Sequence, residues 1–64
     1  MNSKSVVGKN AVVIKTIDNI HGRGQVKVAG EVWSAVSSND EDIEEGATVV
    51  VLKIEGVKLI VKKV

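Results

Sequence analysis

Gly24-Gln25-Val26-Lys27-Val28-Ala29-Gly30-Glu31-Val32-Trp33-Ser34-Ala35-Val36 is the stretch that decides how this chain folds. Apolar and polar residues alternate on both sides of Ala29-Gly30, the period of strands whose two faces meet different surroundings. A two-residue connection with a glycine free to take positive φ is the chemistry of a tight β-hairpin turn. The pattern therefore pairs Gln25–Val28 with Glu31–Val36. Val26, Val28, Trp33 and Ala35 face inward, and Val32 faces out.

Upstream, Ala11–Ile17 is apolar on both faces, which a half-exposed strand would not show. A long first strand that bends and serves both sheets of a small barrel would show it. A loop with two glycines, Asp18 to Gly24, leads from it into the hairpin. Downstream, Ser37 to Gly46 is polar and acidic. Ser38 and Glu41 have capping-box spacing, but the segment allows no more than about one helical turn. Ile43 is its only apolar residue and is expected to plug the barrel, with Gly46 ending the turn in a left-handed conformation. Thr48–Ile54 and Val57–Lys62 follow, joined at Glu55-Gly56, with Val57, Leu59 and Val61 sharing one face.

Three strands, an irregular connection and two strands make an all-β fold, a small five-stranded OB-type β-barrel with a short turn in place of the usual helix. An SH3-like barrel is the rival architecture. Residues 1–7 are expected to be a flexible N-terminal segment and residues 8–64 the barrel domain. The expected core is Val13, Ile17, Val26, Val28, Trp33, Ala35, Ile43, Val49, Val51, Leu59 and Val61. Val32, Val50, Leu52 and Ile60 are left pointing outward. Together they are a candidate partner surface if contiguous. The competing reading is that strand curvature and a β-bulge bury some of them.

Sixty-four residues suffice for one domain. A chain this short buries only about 60% of the surface its unfolded form exposes. With no cysteine to form a disulfide or a thiolate metal site, stability rests on the packing of valine and isoleucine. Nine Lys and Arg against eight Asp and Glu leave a net charge of +1, without the basic excess usual in a nucleic-acid module. No run approaches the roughly 20 apolar residues that span a bilayer. Met1–Ser5 lacks the apolar region of a signal peptide.

Candidate chemistry is sparse. His21 is the only histidine, and a metal site needs companions at ligand spacing. Asp18, His21 and a serine do not make a triad without a strained nucleophile turn and an oxyanion hole. His21-Gly22-Arg23-Gly24 could cradle an anion, but with no helix after it, it is better read as a hairpin loop. Asp40-Glu41-Asp42 with Glu44 and Glu45 lacks the alternating ligands and central glycine of a calcium loop. A catalytic role, a cofactor, a metal and a small-molecule substrate are all excluded from this reading. Barrels that bind single-stranded nucleic acid stack bases on aromatic side chains. Trp33 is the one aromatic residue here, so that function stands only as the alternative, open if Trp33 is not core.

The series Gly8, Ala11, Ile17, Gly24, Val26, Val28, Gly30, Trp33, Ala35, Ile43, Gly46, Val49, Val51, Gly56, Leu59 and Val61 resembles the C-terminal soluble domain of NfeD-like membrane proteins. Gly24 to Ala35 carries most of the likeness. Ile43-Glu44-Glu45-Gly46 followed by Val49 and Val51 supports it. The chain departs from the pattern at Lys15, where a small polar residue is usual, in its lack of proline, and in a longer Asp18–Arg23 loop. The resemblance implies an OB barrel that follows membrane-spanning helices and acts as a non-catalytic protein-interaction module. It also implies a stomatin- or flotillin-like membrane protein as partner, with membrane attachment only through upstream helices and the soluble domain on the cytoplasmic side. The protease activity of some family members lies in a separate domain, and none of its machinery is in these residues.

Overall fold

The computed structural model describes residues 6–64. It contains β1 (Asn10–Asp18), β2 (Arg23–Val28), β3 (Glu31–Ser37), β4 (Thr48–Glu55) and β5 (Lys58–Lys63). They close into a barrel in the order β1-β2-β3-β5-β4. Neighbours are antiparallel except β3 and β5, which run parallel from Ser34↔Lys58 to Ser37↔Val61. Because β5 lies between β3 and β4, the sheet is not a simple meander, and the OB-type order replaces the SH3-like alternative.

β1 buries Ala11, Val13 and Ile17, while Val12 is 47% exposed and Ile14 half-buried on its outer face. Its first half pairs with β4 from Asn10 to Val12. It continues along β2 to Asp18, with register shifts between Val13 and Lys15 and between Lys15 and Asp18. Such irregularities bend a strand and sharpen its twist, which carries β1 from one side of the barrel to the other. The hairpin forms as its alternation requires, with Val26 opposite Trp33 and Val28 opposite Glu31. Ala29 and Gly30 both have positive φ, 53° and 80°, as a type I′ turn requires.

Gly24 has a packing role that its sequence position in a loop did not suggest. It belongs to β2, and a Cβ there would lie 2.8 Å from Ile17 Cα and 3.0 Å from the carbonyl oxygen of Ala35. Those contacts are backbone, which cannot swing aside. The missing side chain lets β1, β2 and β3 converge.

The Ser38–Ala47 connection forms no α-helix and lies along β1. Ile17 and Ile43 exchange backbone hydrogen bonds of 2.8 and 3.0 Å, and Gly46 N–H donates to Val13 O at 2.7 Å. Ile43 is buried, as a plug should be. The cap, however, is Ser37 and not Ser38. Ser37 Oγ accepts from the N–H groups of Asn39 (3.3 Å) and Glu41 (3.2 Å) and donates to Asn39 Oδ1 (2.7 Å). Ser37 is inward-facing and buried, so its hydroxyl needs these partners.

Every expected core residue but one is buried. Trp33 is half-buried and packs against the core from its rim. An interior already filled by branched aliphatic side chains leaves an indole no room at the centre. Its Nε1 is shielded without a hydrogen-bond partner. Val6, placed by the sequence reading in the flexible segment, is 3% exposed and joins the core. Residues 1–5 of that segment lie outside the described residues. Val57 does not share the face of Leu59 and Val61. It sits at the exposed tip of the β4–β5 turn, before β5 begins.

Two substitutions test this packing. Gly24→Ala is expected to destabilise the barrel by about 1–3 kcal/mol through overpacking, read as a lower urea midpoint. Ala29→Asn is expected to stabilise it by about 1 kcal/mol, since Asn tolerates the left-handed region better than Ala. An unchanged midpoint for Gly24→Ala would remove the close approach, and a lower one for Ala29→Asn would remove the turn assignment.

Candidate functional site

Cross-strand register places the outward side chains. On β4, Val49 and Val51 point inward and Val50 points out, beside Asn10 on one flank and Lys62 on the other. The register then slips between Val51 and Lys53. Leu52 is the extra residue of this bulge, 43% exposed, and Lys53 takes the place opposite Ile60. Leu52 already points outward by alternation from Val51, and the bulge turns Lys53 outward as well and Ile54 inward. Ile60 in turn pairs with Val36 across the parallel junction. Val36, Ile60 and Val50 are half-buried. With Leu52 they form an apolar strip over β3, β5 and β4, edged by Lys53 and Lys62.

Of the four residues singled out from sequence, the strip gathers Val50, Leu52 and Ile60. Val32 is outward, as expected, and 55% exposed, but it lies elsewhere. It is paired with Lys27, which separates it from Val12 on β1. Val36 was missed, although its place after inward-facing Ala35 signals an outward residue. A second outward sector was missed altogether. There Lys15, Gln25, Ser34 and Lys58 stand side by side on four strands.

The Asp18–His21 loop is a clasp. Asp18 Oδ2 lies 2.7 Å from His21 Nδ1, while Oδ1 accepts from the N–H groups of Ile20 (3.1 Å) and His21 (3.3 Å). Asn19 ties the loop to the acidic connection, its N–H donating to Asp42 Oδ1 and its Nδ2 to Glu41 O. The hydrogen bond from the His21 ring, helped by the backbone donors, holds the Asp18 carboxyl below the usual carboxylate range. Among the described residues the His21 ring hydrogen-bonds Asp18 and no serine, and no group of three or more His, Asp or Glu is disposed to hold a metal ion. No described helix is long and apolar enough to cross a membrane. The exposed Lys53–Glu55 pair at 3.4 Å contributes little.

A closed barrel that presents an apolar strip on its outer face belongs to the class of small β-barrel interaction modules. The sequence over residues 3–63 matches the model of the NfeD-like C-terminal, partner-binding domain, and the chain belongs to that family. Its fold superposes on the C-terminal domain of a stomatin operon partner protein from Pyrococcus horikoshii, at TM-score 0.84 and 31% identity, covering 100% of this chain and 97% of that one. It also superposes on the soluble domain of a membrane protein implicated in regulation of membrane protease activity from Corynebacterium glutamicum. That match has TM-score 0.83 and 34% identity, covering 94% and 95% of the two chains. No curated relative matches in sequence.

The clasp makes a pH prediction. A carboxylate whose folded pKa is lowered contributes stability that is present above its unfolded pKa, about 3.9, and lost as pH falls through the folded value. Carbon-detected NMR should find Asp18 titrating below that ordinary value, and His21→Ala should move its midpoint up. A midpoint indifferent to His21 would show that the ring does not set it.

Proposed function

We propose that this barrel binds a stomatin- or flotillin-like membrane protein through the strip of Val50, Leu52 and Ile60, extended by Val36. The domain acts by display and not by catalysis. It is held near the membrane, on the cytoplasmic side, by helices elsewhere in a longer protein. The observation that carries the reading is Leu52, which follows Val50 on the outward face of β4 and is 43% exposed at the bulge opposite Ile60. An exposed leucine costs the free domain solvation free energy, and a partner that covers it recovers that cost. A solved relative described as a stomatin operon partner supports the choice of partner. One described as the soluble domain of a membrane protein supports the tether.

Trp33 weakens the nucleic-acid alternative. The only aromatic residue faces the barrel rim with its Nε1 shielded. The outer face is left without a surface on which bases could stack.

Leu52→Ser together with Ile60→Thr should leave the chain folded, with the melting temperature lowered by about 5–10 °C because Ile60 is half-buried. Binding to a purified stomatin-like protein from the same organism should fall roughly tenfold or more. Val32→Ser should leave binding unchanged. Full binding by the double variant, or loss of binding by Val32→Ser, would move the contact off the strip. No binding by the unaltered chain would reject the partner.

A further inference from the structure

Bordering the apolar strip at Val36, the outer face holds a groove of about 500 Å³ between the β1–β2 arm and the start of β5. Register defines its floor. Lys15 pairs with Gln25, Gln25 with Ser34, and Ser34 with Lys58, one residue from each of β1, β2, β3 and β5. Gln25, Ser34 and Lys58 face outward because Val26, Ala35 and Leu59 beside them are buried, and Lys15 is exposed past the register shift that follows Val13. Arg23 stands on the same face of β2, two residues from Gln25, and also lines the groove. Thus three cations meet one carboxylate, that of Glu45. Among the described residues, neither of the ion pairs involves Lys15, Arg23 or Lys58. Asp18, the acid nearest Lys15 in sequence, is engaged by His21. Glu55 stands opposite Lys58 in the β4–β5 register and offsets part of that charge, which still leaves the groove with more cations than carboxylates.

We propose that this groove is a second binding site, which takes an extended acidic peptide segment of a protein partner. The inference rests on the chain being a partner-binding domain, and it names the chemistry of the segment bound. Charge complementarity is the first argument. An excess of cations over carboxylates, gathered around a concave surface, favours an anionic occupant. The second is the lining between the charges. Gln25, Ser34 and Thr16 supply both donors and acceptors, which suit the N–H and C=O groups of a peptide backbone. The third is length. Four neighbouring strands at about 4.8 Å spacing separate Lys15 from Lys58 by about 14 Å, which an extended peptide covers in about four residues. The preferred segment therefore carries acidic residues four apart, with a further acid between them near Arg23. A nucleic-acid strand would also bring negative charge, but no aromatic residue lines the groove to stack its bases.

The probe is a short synthetic peptide with glutamates at every second position and serines between them, titrated into the isotope-labelled 64-residue chain and followed by amide NMR. Shifts are expected at Lys15, at Gly22 to Gln25, at Ser34 to Val36 and at Lys58. Lys15→Gln with Lys58→Gln should weaken binding roughly tenfold, with the rest of the spectrum unchanged. Lys53→Gln with Lys62→Gln removes the same charge beside the apolar strip and should leave affinity as it was. A peptide with glutamine for glutamate should not bind. The inference is overturned by equal weakening in both double variants, by shifts on another sector, by no binding, or by an oligothymidylate binding more tightly than the peptide. Since the groove variants leave Val50, Leu52 and Ile60 intact, a failure here is separate from a failure of the strip.

Discussion

The parallel junction between β3 and β5 is the constraint on which the rest depends. Ser34–Ser37 against Lys58–Val61 is where the sheet closes on itself. Its inward pairs, Ala35 with Leu59 and Ser37 with Val61, are all buried. Its outward pairs join the two outer surfaces, which meet at Val36. Ser34 with Lys58 forms one end of the cationic row, and Val36 with Ile60 forms one end of the apolar strip. Closure also removes the open sheet edge that would otherwise pair with other chains. Parallel neighbours need a crossover, and here the crossover is the capped connection and β4 together. Small groups permit the fit, since Ala35 O lies where any side chain on residue 24 would collide.

Closure explains how a short chain without disulfides holds a core made mostly of valine and isoleucine. The residues that complete the interior come from outside the regular strands. Val6 enters before β1, and Ile43 enters from the connection and pairs with Ile17 as a one-residue substitute for a strand. The bulge at Leu52 has a similar origin. β4 must meet β1 at one end and β5 along its whole length. The extra residue lets it twist between them, turning Lys53 outward beside Leu52 and Ile54 toward the core. The outward Val50 and Leu52 follow from the strand's alternation, and a partner-binding domain can use them.

Much of this was legible in the sequence because alternation reports which face a residue occupies. Val26, Val28, Val49, Val51, Leu59 and Val61 were assigned inward on that ground and are buried. Ala11–Ile17 is one long strand that pairs with β4 at its start and with β2 beyond, as expected of a first strand serving both, although its outward Val12 is exposed. Alternation says nothing about which strands become neighbours, so the row from Lys15 to Lys58 could not be seen. Those residues are far apart in sequence and are joined only by register. The slip at Leu52 and the burial of Val6 are also non-local. Trp33 was misjudged for a different reason: size and hydrophobicity predict burial in general, but a barrel this narrow gives its centre to smaller side chains. Ser37 was passed over as the cap because Ser38 had the right spacing to Glu41, and only the inward direction of Ser37 distinguishes them.

Native-state amide hydrogen exchange tests the closed barrel most directly, because it compares the junction with the best-formed hairpin in one experiment. If closure holds the structure together, the amides between β3 and β5, including Ser38 N–H donating to Val61 O at 2.8 Å, will exchange only through global unfolding. Their opening free energy will equal that of the β2–β3 amides. If the junction amides instead open at a much lower free energy than the hairpin, the molecule is an open sheet that closes only transiently. Neither outer surface would then exist as a fixed feature.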